Sequence, residues 1–145
     1  MTDFADKMLT TCFEMLRDYI EIEKARSFCV LHPEHNKDRP RWWNQWWWRR
    51  PDLGLKRLQE EAGYRLEDGS VSITAQTATE LHELYNWWVY DRPKRPNPFD
   101  SLYVGIDKAV VVPEFAEEAE HKHEAQIEED QQMLARLLKI RPYMI

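Results

Sequence analysis

Glycine is scarce in this chain of 145 residues, occurring only at Gly54, Gly63, Gly69 and Gly105. No two lie close enough for a P-loop or a dinucleotide fingerprint, where neighbouring glycines let backbone amides approach phosphate, so nucleotide hydrolysis is not expected. Cysteine is equally sparse. Cys12 and Cys29 fall on one predicted helix, about 25 Å apart along its axis and far beyond disulfide reach, which predicts two free thiols. No activating base is apparent beside either, and there is no nucleophile elbow. No apolar run approaches the roughly 18–20 residues of a transmembrane helix, and Asp3 and Asp6 stand where a secretory signal would carry positive charge. Membrane insertion is therefore not expected, and a cytoplasmic location is.

Tryptophan is what the chain has in excess. Five of its seven, Trp42, Trp43, Trp46, Trp47 and Trp48, fall within seven residues, flanked by Arg39, Arg41, Arg49 and Arg50. So much indole must be buried in a core, buried against a partner or left as an adhesive patch. Elsewhere the composition is that of one globular domain with a polar exterior: 43% hydrophobic and 32% charged residues, with a mean hydropathy of -0.73. The net charge is -6, but the signs are segregated. Residues 37–58 are basic, whereas Glu114, Glu117, Glu118, Glu120, Glu124, Glu128, Glu129 and Asp130 crowd residues 114–130. Such a division reads first as two solvated faces, and second as an acidic surface competing for a nucleic-acid-binding partner.

Periodicity predicts a mainly α fold. Ala5, Met8, Leu9, Cys12, Phe13, Leu16, Tyr19, Ile20 and Phe28 recur at spacings of three and four over residues 3–28, an amphipathic helix. Residues 31–39, with Pro33, Asn36 and Asp38, read as a loop. Pro40 is placed to open a second helix carrying Trp42, Trp43, Trp46, Trp47 and Arg50 on one face, with Trp48 pointing elsewhere. Pro51 starts a further helix, Asp52 to Ala62, with Leu55, Leu58 and Ala62 inward and Gly63 closing it.

Tyr64, Leu66, Val71 and Ile73 alternate about Asp68-Gly69, predicting a small β-hairpin over about residues 64–73. Thr74 or Thr77 is the expected cap of the next helix, Thr77 pairing with Glu80, and Leu81, Leu84, Tyr85, Trp88 and Val89 form its inner stripe. Pro93, Pro96 and Pro98 make residues 92–100 a stiff, non-helical connector pointing Arg92, Lys94 and Arg95 outward. Tyr103 to Val112 reads as a strand or buried loop, and Pro113 opens a long terminal helix spanning residues 113–141.

Chemistry-bearing clusters are weak. Cys29, His32 and His35 lie at C-x2-H-x2-H, three zinc-capable ligands that Glu34 or His82 would have to complete, without the second ligand pair a structural site normally has. His121 and His123, two apart on a helix, point away from each other and cannot share an ion. No catalytic residue, metal or cofactor is assigned. The Arg/Trp cluster suits core packing first, then a protein interface, where Trp and Arg are hot spots. Single-stranded nucleic acid and a membrane surface rank lower, both opposed at long range by the net charge.

Glu83-Leu84-Tyr85-Asn86-Trp87-Trp88, then Arg92-Pro93, Arg95-Pro96 and Pro98-Phe99-Asp100, together with the closing Glu128-Glu129-Asp130, Met133-Leu134 and Arg136-Leu137-Leu138-Lys139-Ile140-Arg141, resemble a family of uncharacterised small proteins of tailed bacteriophages. Leu53-Gly54-Leu55-Lys56 and Leu58 are similar to an upstream segment of that family. The likeness covers about half of the chain. This chain is shorter between Asp100 and the terminal helix, and its five-Trp cluster lies outside the shared pattern. The resemblance implies viral origin and a role in the host cytoplasm during infection, and brings no activity or catalytic residue.

The expectation is a single mainly α domain of four to five helices with one small hairpin, without enzymatic activity. It would bind a host or phage protein stoichiometrically, as a host-defence inhibitor does. Candidate contact residues are Trp43, Trp47, Trp48, Arg49, Arg50, Trp87, Arg92 and Arg95, and on the acidic helix Glu117, Glu118, Glu124 and Glu128. The alternative is a single-stranded nucleic-acid-binding protein of phage DNA metabolism, and homo-oligomerisation is open through the apolar end of the last helix.

Overall fold

The first amphipathic stripe builds a rod from Phe4 to Leu31 in three parts: α1 (Phe4–Asp18), a π-helical turn (Tyr19–Lys24) and α2 (Ala25–Leu31). In the computed structural model, which describes residues 3–99 and 113–144, the Asp3 side chain caps α1 by accepting the Asp6 amide at 2.8 Å. Leu9, Phe13, Leu16 and Ile20 are buried as the spacing predicts, whereas Ala5 and Met8 are exposed. A π-helical turn inserts an extra residue per turn and rotates the register of the residues beyond it. Here it carries a carboxylate, Glu21, into the interior beside Ile20. Cys12 and Cys29 lie in α1 and α2 and both are free thiols.

Pro51 occupies the first turn of α3 (Pro51–Ala62), which Gly63 closes in a right-handed conformation. α4 (Ile73–Asn86) begins at Ser72, whose hydroxyl accepts the Ala75 amide at 3.0 Å. Neither Thr74 nor Thr77 is the cap, and Thr77 is buried one turn further on. A second π-helical turn (Trp87–Asp91) prolongs α4, and α5 (Pro113–Ile140) passes into a 3-10 turn, Arg141–Tyr143, where the sequence predicts helix to residue 141.

α3 packs on α2, the first π-helical turn and α4, while α5 packs on α4 and α1. The main core joins Leu9, Phe13, Leu16 and Ile20 to Leu58, Leu81, Leu84, Tyr85, Trp87 and Leu137. A smaller one joins Ala25, Phe28, Cys29, Trp48 and Leu53. Trp87, left out of the expected inner stripe, is the buried indole of its pair and tilts against Phe13. Trp88, expected inward, is half-buried, stacks on Phe13 and donates to Glu14.

Four expected elements differ. The β-hairpin is absent: residues 64–73 form one isolated antiparallel bridge, Arg65 with Val71, around Gly69 at φ 84°. No strand occurs among the described residues. Its apolar positions Tyr64, Leu66, Val71 and Ile73 all stay exposed, so no buried face supports pairing, and a lone short hairpin is marginal. Residues 42–47 are a run of turns and residues 48–50 have no regular structure, so residues 40–50 form no helix. Residues 33–38 and 92–94 each form a 3-10 turn in place of the expected loop and extended connector. The segment expected as a strand or buried loop, Tyr103 to Val112, lies outside the described residues.

Gly54 marks the closest approach of two backbones. A Cβ there would sit 2.1 Å from the Ile20 carbonyl oxygen, so any side chain would push α3 off the π-helical turn. Gly54→Ala is expected to lower the urea midpoint, destabilising by about 3 kcal/mol, the upper end of the range for overpacking. Gly63→Ala, whose nearest backbone contact would be an ordinary 3.4 Å, is expected to leave the midpoint nearly unchanged.

Candidate functional site at the tryptophan turn

Glu21 decides where the tryptophan segment goes. Its carboxylate is 1% exposed and accepts from Arg17 Nε at 2.7 Å, the Tyr85 hydroxyl at 2.9 Å and Arg49 Nη1 at 3.3 Å. Its backbone carbonyl accepts the Arg50 amide at 2.9 Å. Arg49 also reaches Asp18. Arg50 pairs with Asp38 at 3.2 Å and Asp52 at 2.9 Å. Both arginines proposed as contact residues are thus internal fasteners, and residues 48–50 have no helical structure.

Trp48 is seated inside, next to these arginines in sequence. It packs with Phe28, Cys29 and Leu53 in the smaller core, and its indole N–H donates to the Asp38 carbonyl at 2.9 Å. The one indole expected to stand apart is therefore the buried one. The four expected to share an inner face are outside: Trp42 is 79% exposed, Trp43 55%, Trp46 86% and Trp47 68%. The leading expectation for them, core packing, is corrected. At about 150–250 Å² for each Trp, those exposures amount to roughly 400–700 Å². That matches or exceeds the largest apolar patch of about 300–600 Å² found on an ordinary monomer.

Beside the indoles lies a cleft of about 490 Å³ lined by Asn36, Lys37, Arg39, Pro40 and Arg41. Unlike Arg49 and Arg50, these three cations pair with no carboxylate among the described residues. The turn is fixed from within by the Asn44 side chain, which accepts the Arg41 amide at 2.5 Å, and by the Asn44 amide donating to the Arg41 carbonyl. Trp42 and Trp43 meet edge to face at 5.9 Å.

The remaining candidates divide sharply. Arg92 and Arg95, expected outward, both reach Asp130, and Arg95 also reaches Glu129. Trp87 donates to Glu129 at 2.5 Å. All three residues therefore fasten α5 to the end of α4. Glu117, Glu118, Glu124 and Glu128 are exposed, as their position on a charged helix suggests. Cys29, His32 and His35 do not converge: Cys29 is buried with Trp48, His32 turns to Glu60 at 2.5 Å and His35 to Asp38 at 2.9 Å. Burial pushes the Cys29 thiol up, away from the thiolate a metal requires. No cluster of three metal-capable side chains occurs among the described residues, and no helix there is long and apolar enough to cross a membrane.

Comparison with known proteins adds nothing to this geometry: no family model, no curated protein and no solved structure matches the chain.

Asp38 ties both ends of the turn together and gives it an acid sensitivity. His35 and then Arg50 hold its carboxyl below the usual carboxylate range, and Arg50 does the same to Asp52. A carboxyl depressed by folding stabilises the folded form above its unfolded value of about 3.9, and that contribution disappears as pH falls through the folded value. Denaturant midpoints are expected to fall below about pH 4, and Asp38→Asn is expected to flatten that fall; an unchanged acid slope in the variant would remove the assignment. At the alkaline end, burial and then Glu21 push the Tyr85 hydroxyl well above its ordinary value near 10. Its contribution is complete below pH 10 and lost above it. Tyr85→Phe is expected to cost about 1.5–3 kcal/mol at neutral pH by leaving the Glu21 carboxylate one donor short, while reducing the loss of stability on going alkaline.

Proposed function

We propose that this is a non-enzymatic protein that binds a protein partner stoichiometrically through the tryptophan turn, as an accessory protein of a tailed bacteriophage acting in the host cytoplasm on a host or phage protein. A host-defence inhibitor fits that description. One observation carries the reading: four indoles are held outside on a turn whose ends are pinned by ion pairs, one of them to a buried carboxylate. Their exposed area approaches the roughly 800 Å² that one side of a standard protein interface buries. The composition, Trp beside Arg, is that of interface hot spots. Pinning the turn beforehand lowers the ordering cost of association, and its unpaired cations favour an acidic partner surface.

The same side chains suit stacking on single-stranded nucleic acid, and the two readings separate in one titration. For a protein-docking surface, tryptophan emission is expected to change little with oligonucleotide at physiological salt. Quenching that saturates and weakens steeply with salt would overturn the protein reading in favour of nucleic acid.

Substitution distinguishes surface from core within the cluster. Trp47→Ser is expected to abolish partner capture with a stability change within about 0.5 kcal/mol, the usual range at exposed positions. Trp48→Ala is expected to cost about 3–5 kcal/mol, as a buried aromatic truncation does. If Trp47→Ser lowers the unfolding midpoint as much as Trp48→Ala, the exposed turn is not the contact surface.

A further inference from the structure

The tryptophan turn has a complement in this same chain. Along α5, Glu117, Glu120, Glu124 and Glu128 succeed one another by three, four and four residues, which places them within about 80° of arc and along about 16 Å of helix. All four are exposed. The face of α5 that packs on the body is the opposite one, carrying Ala119, Gln126, Glu129, Met133 and Leu137. Among the described residues none of the four carboxylates has a cationic partner, the neighbouring Glu118 with Lys122 being the only ion pair on that half of the helix. Ile127 stands 42% exposed at the edge of the stripe, giving it an apolar spot. No hydrogen bond or ion pair among the described residues joins this stripe to residues 36–47.

Among the described residues the molecule therefore carries two uncompensated faces of opposite sign: Lys37, Arg39 and Arg41 beside four exposed indoles, and a straight row of carboxylates beside an exposed isoleucine. We infer that the tryptophan turn docks on the acidic outer face of α5 in a second copy of the chain. Charge complementarity selects this occupant, and the exposed indole area is of the size that one side of a stable contact needs. The contact is head to tail. Each copy keeps one free turn and one free helix face, so association continues into a closed ring or an open chain and does not stop at a symmetric dimer. This inference rests on the reading of the turn as a protein-docking surface and specifies the partner it meets.

The test uses the full chain and two surface variants. Wild type is expected to show a mass by light scattering that rises with concentration beyond a dimer and falls as salt screens the contact. The turn variant, Arg39→Gln with Arg41→Gln and Trp47→Ser, is expected to remain monomeric. So is the helix variant, Glu117→Gln, Glu120→Gln, Glu124→Gln and Glu128→Gln, which keeps good helix formers on α5. Mixed together, they retain one intact turn and one intact helix face, so the expected product is a one-to-one heterodimer and nothing larger.

Circular dichroism identical to wild type shows that each variant is folded. Wild type that stays monomeric at every concentration and salt would overturn the inference. So would self-association that the helix variant leaves unchanged, or a mixture in which no heterodimer forms. Monomeric wild type that still loses a different captured partner on Trp47→Ser would sink self-docking alone and leave the docking reading standing.

Discussion

The buried carboxylate of Glu21 is the constraint on which the arrangement depends. An ionised carboxylate removed from water is strongly disfavoured unless donors surround it, and this one receives a guanidinium from its own helix, a second from the end of the tryptophan segment and a hydroxyl from α4. Each donor comes from a different part of the chain. Satisfying the charge therefore fixes the rod, α4 and the entry to α3 relative to one another at a single point, something the non-directional packing of Leu and Ile side chains does not do. The π-helical turn is what delivers the carboxylate inward, and Gly54 is what lets α3 lie against that turn.

Exposure of the tryptophan turn is a consequence of this interior. Arg49 and Arg50 cannot serve a partner because Asp18, Glu21, Asp38 and Asp52 already hold them. With the two arginines held there, Trp48 sits in the smaller core while the preceding four indoles stay exposed. The exposed patch is thus not an unfolded remnant. It is bounded on one side by a buried anchor and on the other by the His35–Asp38 pair.

Helices are legible wherever one face repeats without interruption: the rod, α3, α4 and α5 stand near the bounds their apolar spacing implies. What the spacing cannot reveal is which charges face inward. Glu21 looks like any other carboxylate in a run of charged residues, and a register shift at a π-helical turn leaves no compositional mark. The tryptophan segment departs from its pattern for a related reason. Spacings of one and four fit a helical face, but a helix there would deny Glu21 the Arg49 guanidinium and the Arg50 amide, and tertiary demand outweighs a local pattern. The hairpin fails from the opposite deficit: Asp68-Gly69 makes its turn, yet nothing covers Leu66 or Val71.

The arginines show why a count of charge around a motif is a poor guide to its surface. Arg39, Arg41, Arg49 and Arg50 flank the same indoles symmetrically in sequence, and among the described residues the first two have no ion-pair partner. The distinction comes from carboxylates far away in the chain: Asp18 and Glu21 on the rod face Arg49, Asp38 and Asp52 face Arg50, and no acidic side chain among the described residues pairs with residues 39 and 41. At the other end, Glu129 and Asp130 hold Trp87, Arg92 and Arg95, while Glu117, Glu120, Glu124 and Glu128 on the same helix hold no cation among the described residues. Folding thus neutralises the inner half of each charged segment and leaves the outer halves with opposite signs. A net charge of -6 conceals a molecule whose exposed poles attract each other, which is the electrostatic condition for one copy to recognise the next.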